Sequence, residues 1–227
     1  MWIDHQGLQP LFHACAASGD GGGEAPHTAL RKILLAATAP SEVWPDDTLF
    51  SDKWCHRPVY KELRPVKTCG VLRALEYAAR GTQQGSNHVP VQSDLTVEHV
   101  MPQSWEKLPI YQIAEMTEPQ RQLREAVVHG FGNLTLLTQP LNSSISNGPF
   151  ADTHNAGCEP VLGKRSRLGQ SALLLNTYFH QTALVAWDDD AVARRSESLL
   201  KAALLVWPKP VDGCAVPVSV ASAISGN

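Results

Sequence analysis

Apolar residues recur at two periods along this chain. "DLTVEHV", residues 94–100, alternates apolar and polar positions and predicts a strand. "FGNLTLLT", residues 131–138, predicts a second short strand. The stretch between them, "SWEKLPIYQIAEMTEPQRQLREAVVHG", is a polar excursion with some helix. Helical spacing appears in "TALRKILLAA", with Thr28 as N-cap and Leu30, Ile33, Leu34 and Ala37 on one face. It appears again from Thr68 to Arg80, where Leu72, Leu75 and Ala79 form the stripe. "QPLNSSISN" predicts the start of a helix, because proline is tolerated in a first turn. "SALLLNTYFHQ" and "DDDAVARRSESLLKAALLVW" predict helices; Asp188–Asp190 suit the positive end of the latter, and Val192, Ser196, Leu199, Ala203 and Val206 recur along it. Pro40, Pro45, Pro58 and Pro65 argue against long regular helices across residues 39–65. "SGDGGGEAPH" and "GTQQGSNHVP" read as loops, and the tail from Pro208 reads as disordered. The predicted class is α+β, mainly helical.

Composition narrows this little. The chain has 227 residues, 43% hydrophobic and 18% charged, ordinary for a soluble globular protein. No apolar run reaches membrane-spanning length, and the N-terminal sequence lacks a secretory signal, so a cytoplasmic protein is expected. The five cysteines, Cys15, Cys55, Cys69, Cys158 and Cys214, show no C-x-x-C spacing. That suits a reducing compartment rather than a disulfide framework. Net charge is −3, yet residues 53–80 hold Lys53, Arg57, Lys61, Arg64, Lys67, Arg73 and Arg80 against Glu62 and Glu76. A second cluster is Lys164, Arg165 and Arg167. Solvated surface explains such runs more readily than nucleic-acid binding does.

The candidate chemistry lies where strand, strand and helix follow one another. They carry Glu98-His99, Asn133 and Asn142 in that order. Hydrolysing a phosphodiester needs a base of near-neutral pKa, which histidine supplies. It also needs a divalent cation, for which a carboxylate and an asparagine carbonyl are suitable oxygen ligands. Neighbours on a strand point to opposite faces, so Glu98 and His99 can serve one centre only where the strand ends or bends. Pro102 makes an ending there plausible. His129 is open to two roles, contact with the scissile phosphate or shaping the turn at Gly130 and Gly132. Asn147 reads as a helix C-terminal residue, the remaining histidines as surface or core residues, and the tryptophans as packing anchors.

"VEHVMP" resembles the first motif of the HNH nucleases, within the ββα-metal or His-Me finger superfamily, and "NLTLLTQPLN" resembles the second. With "HGFGNLTLLTQPLNSSISNGPF", "GKRSRLGQSALLLN" and "WDDDAVARRSESLLKAALLVWP", the chain is similar over roughly residues 28–208 to the C-terminal nuclease domain of GmrSD-type modification-dependent restriction enzymes and of SspE-type phosphorothioate-sensing defence proteins. The resemblance implies a small ββα-metal core among helices. It makes His99 the general base, Glu98 and Asn142 ligands of Mg2+ or Mn2+, and Asn133 the residue that fixes the loop and orients the base. His129, Lys164 and Arg165 become contacts to DNA. Thr138 and Leu141 stand where many HNH proteins carry zinc-binding cysteines, so no structural zinc is expected.

The implied organisation is a helical, partly basic region over residues 1–85, the nuclease core over 86–160, C-terminal helices packed on the core over 161–208, and the tail over 209–227. The implied activity is DNA nicking in a bacterial anti-phage restriction system. It would act with an N-terminal NTP-hydrolysing, modification-sensing domain or subunit carried outside this chain. The rival is a catalytically silent DNA-binding or subunit-docking module; action on RNA is a third option.

Overall fold

A ten-residue helix, α1 (Asp47–His56), opens where Asp46 accepts the Leu49 N–H at 2.8 Å, an aspartate cap on an otherwise orphaned donor. The computed structural model describes residues 32–33, 35–39, 43–81, 91–112, 115–145, 148–153 and 159–209. The expected loop at 18–27, the Thr28 cap, most of the 81–90 loop, Asn147 and the tail beyond Lys209 lie outside them. The described residues fall into two compact units, one with those up to Phe50 together with Lys209, the other Ser51–Pro208. In the first, residues 32, 33, 35 and 36 are helical, and Ile33 is exposed.

In the second unit, α2 (Val59–Gly81) begins directly after Pro58 and is kinked at Arg64, whose φ of 66° is left-handed. Pro65 follows the kink. It sits in the first turn of the second segment, where its missing N–H costs no hydrogen bond. The prolines of residues 39–65 therefore bound and break helices, and no long regular helix crosses that stretch among the described residues. Leu72, Leu75 and Ala79 are fully buried, as the stripe predicts.

Two strands, β1 (Leu95–His99) and β2 (Leu134–Thr138), pair antiparallel, with Glu98 opposite Thr135 and His99 opposite Leu134. Between them lies α3 (Glu118–Val128), whose Thr117 and Gln120 form a capping box. The short helix α4 (Gln139–Ile145) continues from β2 and packs on both strands. Helix α5 (Lys164–Leu168) was not foreseen. "SALLLNTYFHQ" is not an α-helix: Leu174–His180 is a 3-10 run. Its first amides are taken by the buried Glu76 carboxylate, at 3.0 Å from Leu174 N and 2.9 Å from Leu175 N. Asn176 is spent on Leu136 O and Ser171.

The last helix, α6 (Asp189–Val206), is capped by Asp188 and presses on the turn before β2. At Gly132 a Cβ would lie 2.3 Å from Val192 O, so only glycine permits this approach. Arg195 of α6 is fully buried and donates to Leu134 O at 2.7 Å and Gly132 O at 2.9 Å. Its guanidinium lies 5.0 Å from the Phe179 ring centre, and burial pulls its pKa down to about 10. The core around the ribbon includes Met101, Trp105, Leu137, Phe150, Phe179 and Trp187. No helix among the described residues is long and apolar enough to cross a membrane.

Candidate active site

The motif asparagine is the most tightly held residue of the site. Asn133 has no exposed surface and makes four hydrogen bonds. Its Oδ1 accepts from Met101 N (2.7 Å) and Trp187 Nε1 (2.9 Å), and its Nδ2 donates to Met101 O (2.9 Å) and Val128 O (2.8 Å). A side-chain amide has two acceptor sites and two donor hydrogens, so every one is used inside the protein. Asn133 thereby ties the end of β1 to the end of α3. Val100 N donates to Asn133 O at 2.9 Å and extends the tie.

His99 is the last residue of β1, and its side chain meets the end of α3. Its Nε2 lies 3.2 Å from Nδ1 of His129, the C-cap of α3. His129 Nε2 lies 3.3 Å from Glu125 Oε1, one helical turn earlier, and Lys61 Nζ lies 2.6 Å from the same carboxylate. Tyr60 packs edge-on to His99, with ring centres 4.5 Å apart, and near-parallel to His129. Burial, then the charges of His129 and Lys164, pulls the His99 pKa down to about 3, so the ring is neutral at pH 7. Burial and Lys61 also lower His129. Burial opposes ionisation of Glu125, but the hydrogen bond and charge of Lys61 hold it below the usual carboxylate range.

Strand alternation turns Glu98 elsewhere. Lys164 Nζ sits 2.5 Å from Glu98 Oε1 and 2.6 Å from the His99 carbonyl, with the lysine side chain only 1% exposed. Burial raises Glu98 and lowers Lys164, and their mutual attraction opposes both shifts. Asn142, on α4, donates through Nδ2 to Thr96 Oγ1 at 2.9 Å. Thr96 and Glu98 share one face of β1, being two residues apart. Asn142 therefore stands over the Glu98 face, with its carbonyl oxygen unused by any described residue.

A carboxylate and an amide oxygen are the hard donors that magnesium or manganese takes, with water and phosphate filling the remaining positions. The donor set suits such a cation in kind, but the Glu98 carboxylate is held by the Lys164 ammonium, which a cation would have to displace. Among the described residues no three His, Cys, Asp or Glu side chains converge as a cage.

The two remaining candidates are engaged within the protein. Arg165 donates to Phe179 O at 3.3 Å and Gln181 O at 2.9 Å, while Lys164 is committed to Glu98 and His99. The basic segment is also partly compensated: Arg57 pairs with Glu62, Lys61 with Glu125, and Arg80 with Glu76. Sequence reasoning missed Glu125, Lys61 and Tyr60. The i,i+4 spacing of Glu125 and His129 on a helix was the available signal. Nothing in the sequence pointed to Arg195 or Trp187 as partners of the motif loop.

An antiparallel ribbon with its following helix, and a histidine at the strand end, thus sit in a mainly helical α+β domain. The family of GmrSD restriction endonucleases, C-terminal domain, matches residues 44–202, and the chain belongs to it. No curated protein and no solved structure matches the chain.

Proposed function

We propose that this domain is a divalent-metal-dependent DNA nickase of HNH type, built on a ββα-metal core within residues 86–160 and serving an anti-phage restriction system. The observation that carries the reading is the placing of His99: an imidazole at the end of β1, enclosed by Tyr60 and His129 and next in sequence to Glu98. An unprotonated imidazole can take a proton from water as the water oxygen attacks phosphorus and the P–O bond to the 3′ oxygen breaks. Glu98 and Asn142 would hold the cation, which supplies positive charge to the phosphate and the departing oxygen. Asn133 touches no reacting atom in this scheme; it positions the strand end. Modification sensing falls to an NTP-hydrolysing domain or subunit that works with this one.

Incubating the chain with supercoiled plasmid, with Mg2+ or Mn2+ and with EDTA, tests the reading. Nicked circles should form only with metal. His99→Ala should lower the rate about 100- to 10,000-fold, and a rate within about threefold of wild type would refute the assignment. A silent docking module is favoured by one observation, the Lys164 ammonium already seated on Glu98. DNA binding without nicking under every metal condition would select it.

A further inference from the structure

The chain Glu125–His129–His99 links a half-exposed carboxylate to a buried ring, and its chemistry fixes where each proton lies. An ionised carboxylate only accepts hydrogen bonds. With the carboxylate oxygen 3.3 Å from His129 Nε2, electrostatics favour the hydrogen on Nε2. A neutral imidazole carries one N–H, so His129 Nδ1 is a lone pair. The 3.2 Å contact between His129 Nδ1 and His99 Nε2 then requires the hydrogen on His99 Nε2. The reverse order would set the His129 Nε2 lone pair against the Glu125 carboxylate, two acceptors facing each other. No described residue bonds His99 Nδ1.

We infer that Glu125 and His129 are positioning residues that fix the tautomer of His99, leaving Nδ1 as the nitrogen that meets the attacking water. This rests on the reading of His99 as general base. The proton of water passes to Nδ1, the hydroxide oxygen bonds phosphorus, and the departing 3′ oxygen takes a proton from solvent. The ring keeps its Nε2–H on His129 throughout. The relay is fastened at every link. Lys61 holds Glu125 at 2.6 Å, and the His129 carbonyl accepts the Tyr60 N–H at 3.0 Å. The Tyr60 ring packs against both imidazoles. Neutral His129 and ionised Glu125 are also the forms favoured by their shifted pKa values. In this role His129 faces the base and not the scissile phosphate.

The test uses the full chain with 15N-labelled histidine. Long-range 1H–15N correlation, with His99 identified by its loss in His99→Gln, should show Nε2 protonated and Nδ1 bare. The opposite tautomer in the wild-type protein overturns the inference. In nicking assays, Glu125→Ala and His129→Phe should lower kcat about 10- to 100-fold, with KM for DNA within about twofold. Glu125→Gln, which keeps an acceptor oxygen, should restore most of kcat. A raised KM with normal kcat in His129→Phe would assign that ring to DNA and overturn the relay. Normal kcat in both variants beside an inactive His99→Ala overturns the relay alone. A fully active His99→Ala removes the base, and the catalytic meaning of the relay with it.

Discussion

Replacing Asn133 by alanine removes an amide whose four hydrogen-bonding sites are all used in the dry interior. The N–H of Met101 and the indole N–H of Trp187 lose their acceptor, and the carbonyls of Met101 and Val128 lose a donor. Met101, Val128 and Trp187 are each at most 2% exposed, so water does not replace the lost partner. A buried donor left without an acceptor costs about 1–3 kcal/mol; two of them, with lesser losses at the carbonyls, give about 3–6 kcal/mol. A domain with about 5–15 kcal/mol of stability would lose much of it. Asn133→Asp keeps the shape but turns an acceptor toward two carbonyls, so it should be destabilised as well. Urea unfolding followed by tryptophan fluorescence measures both. Asn142→Ala is the control: that half-buried residue makes one bond to Thr96, and its loss should cost less than about 1.5 kcal/mol. A loss below about 1 kcal/mol for Asn133→Ala, at unchanged m-value, would show that the clamp is not holding the strand end.

Two further outcomes follow from the fold. Gly132→Ala drives a methyl to 2.3 Å from Val192 O and 2.9 Å from Ser196 Cβ, so α6 must shift. Thermal unfolding should register a loss of about 1–3 kcal/mol or more, and an unchanged midpoint would show that the approach is slack. His99 has its folded pKa pulled from 6.5 to about 3, so the unfolded chain binds the extra proton first as pH falls. The stability this gives is complete above pH 6.5 and is lost toward pH 3, at about 1.4 kcal/mol per pH unit. His129 shifts in the same direction. Urea midpoints across this window should fall more steeply for wild type than for His99→Gln; equal slopes would show that His99 is not held neutral.

β1 was legible because alternation marks a strand, and the start of α4 because proline is tolerated in a first turn. Both are local signals. The start of α6 was legible for the same reason, since Asp188–Asp190 suit a positive helix end. What escaped was decided by residues distant in sequence. Lys164 reads as a solvent-facing charge until Glu98, 66 positions away, receives it in the interior. Leu174–His180 has helical spacing yet is a 3-10 run, and its first amides are held by Glu76, almost a hundred residues earlier, a partner that no local pattern shows. Glu125 and His129 were visible as a helical pair, while their link to His99 needed the ribbon to be folded. The kink at Arg64 escaped because a proline pattern signals a break without saying whether helix resumes after it.

The reach of α6 bears on how this nuclease unit could be moved between proteins. The motif residues lie between Glu98 and Asn142, yet the loop that carries Asn133 is gripped from outside that window by Trp187 and by Arg195, through the carbonyls of Gly132 and Leu134. A segment excised at the motif boundaries would carry Glu98, His99, Asn133 and Asn142 but neither Trp187 nor Arg195. Its ribbon would expose Leu134, Leu136 and Leu137, all fully buried here, and the Asn133 side-chain oxygen would keep only one of its two donors, Met101 N. Grafting or truncation therefore has to be drawn around Trp187 and α6. Divergence in that last helix, which carries none of the proposed catalytic or metal-holding residues, is where a relative with intact Glu-His-Asn-Asn residues could still lose the site.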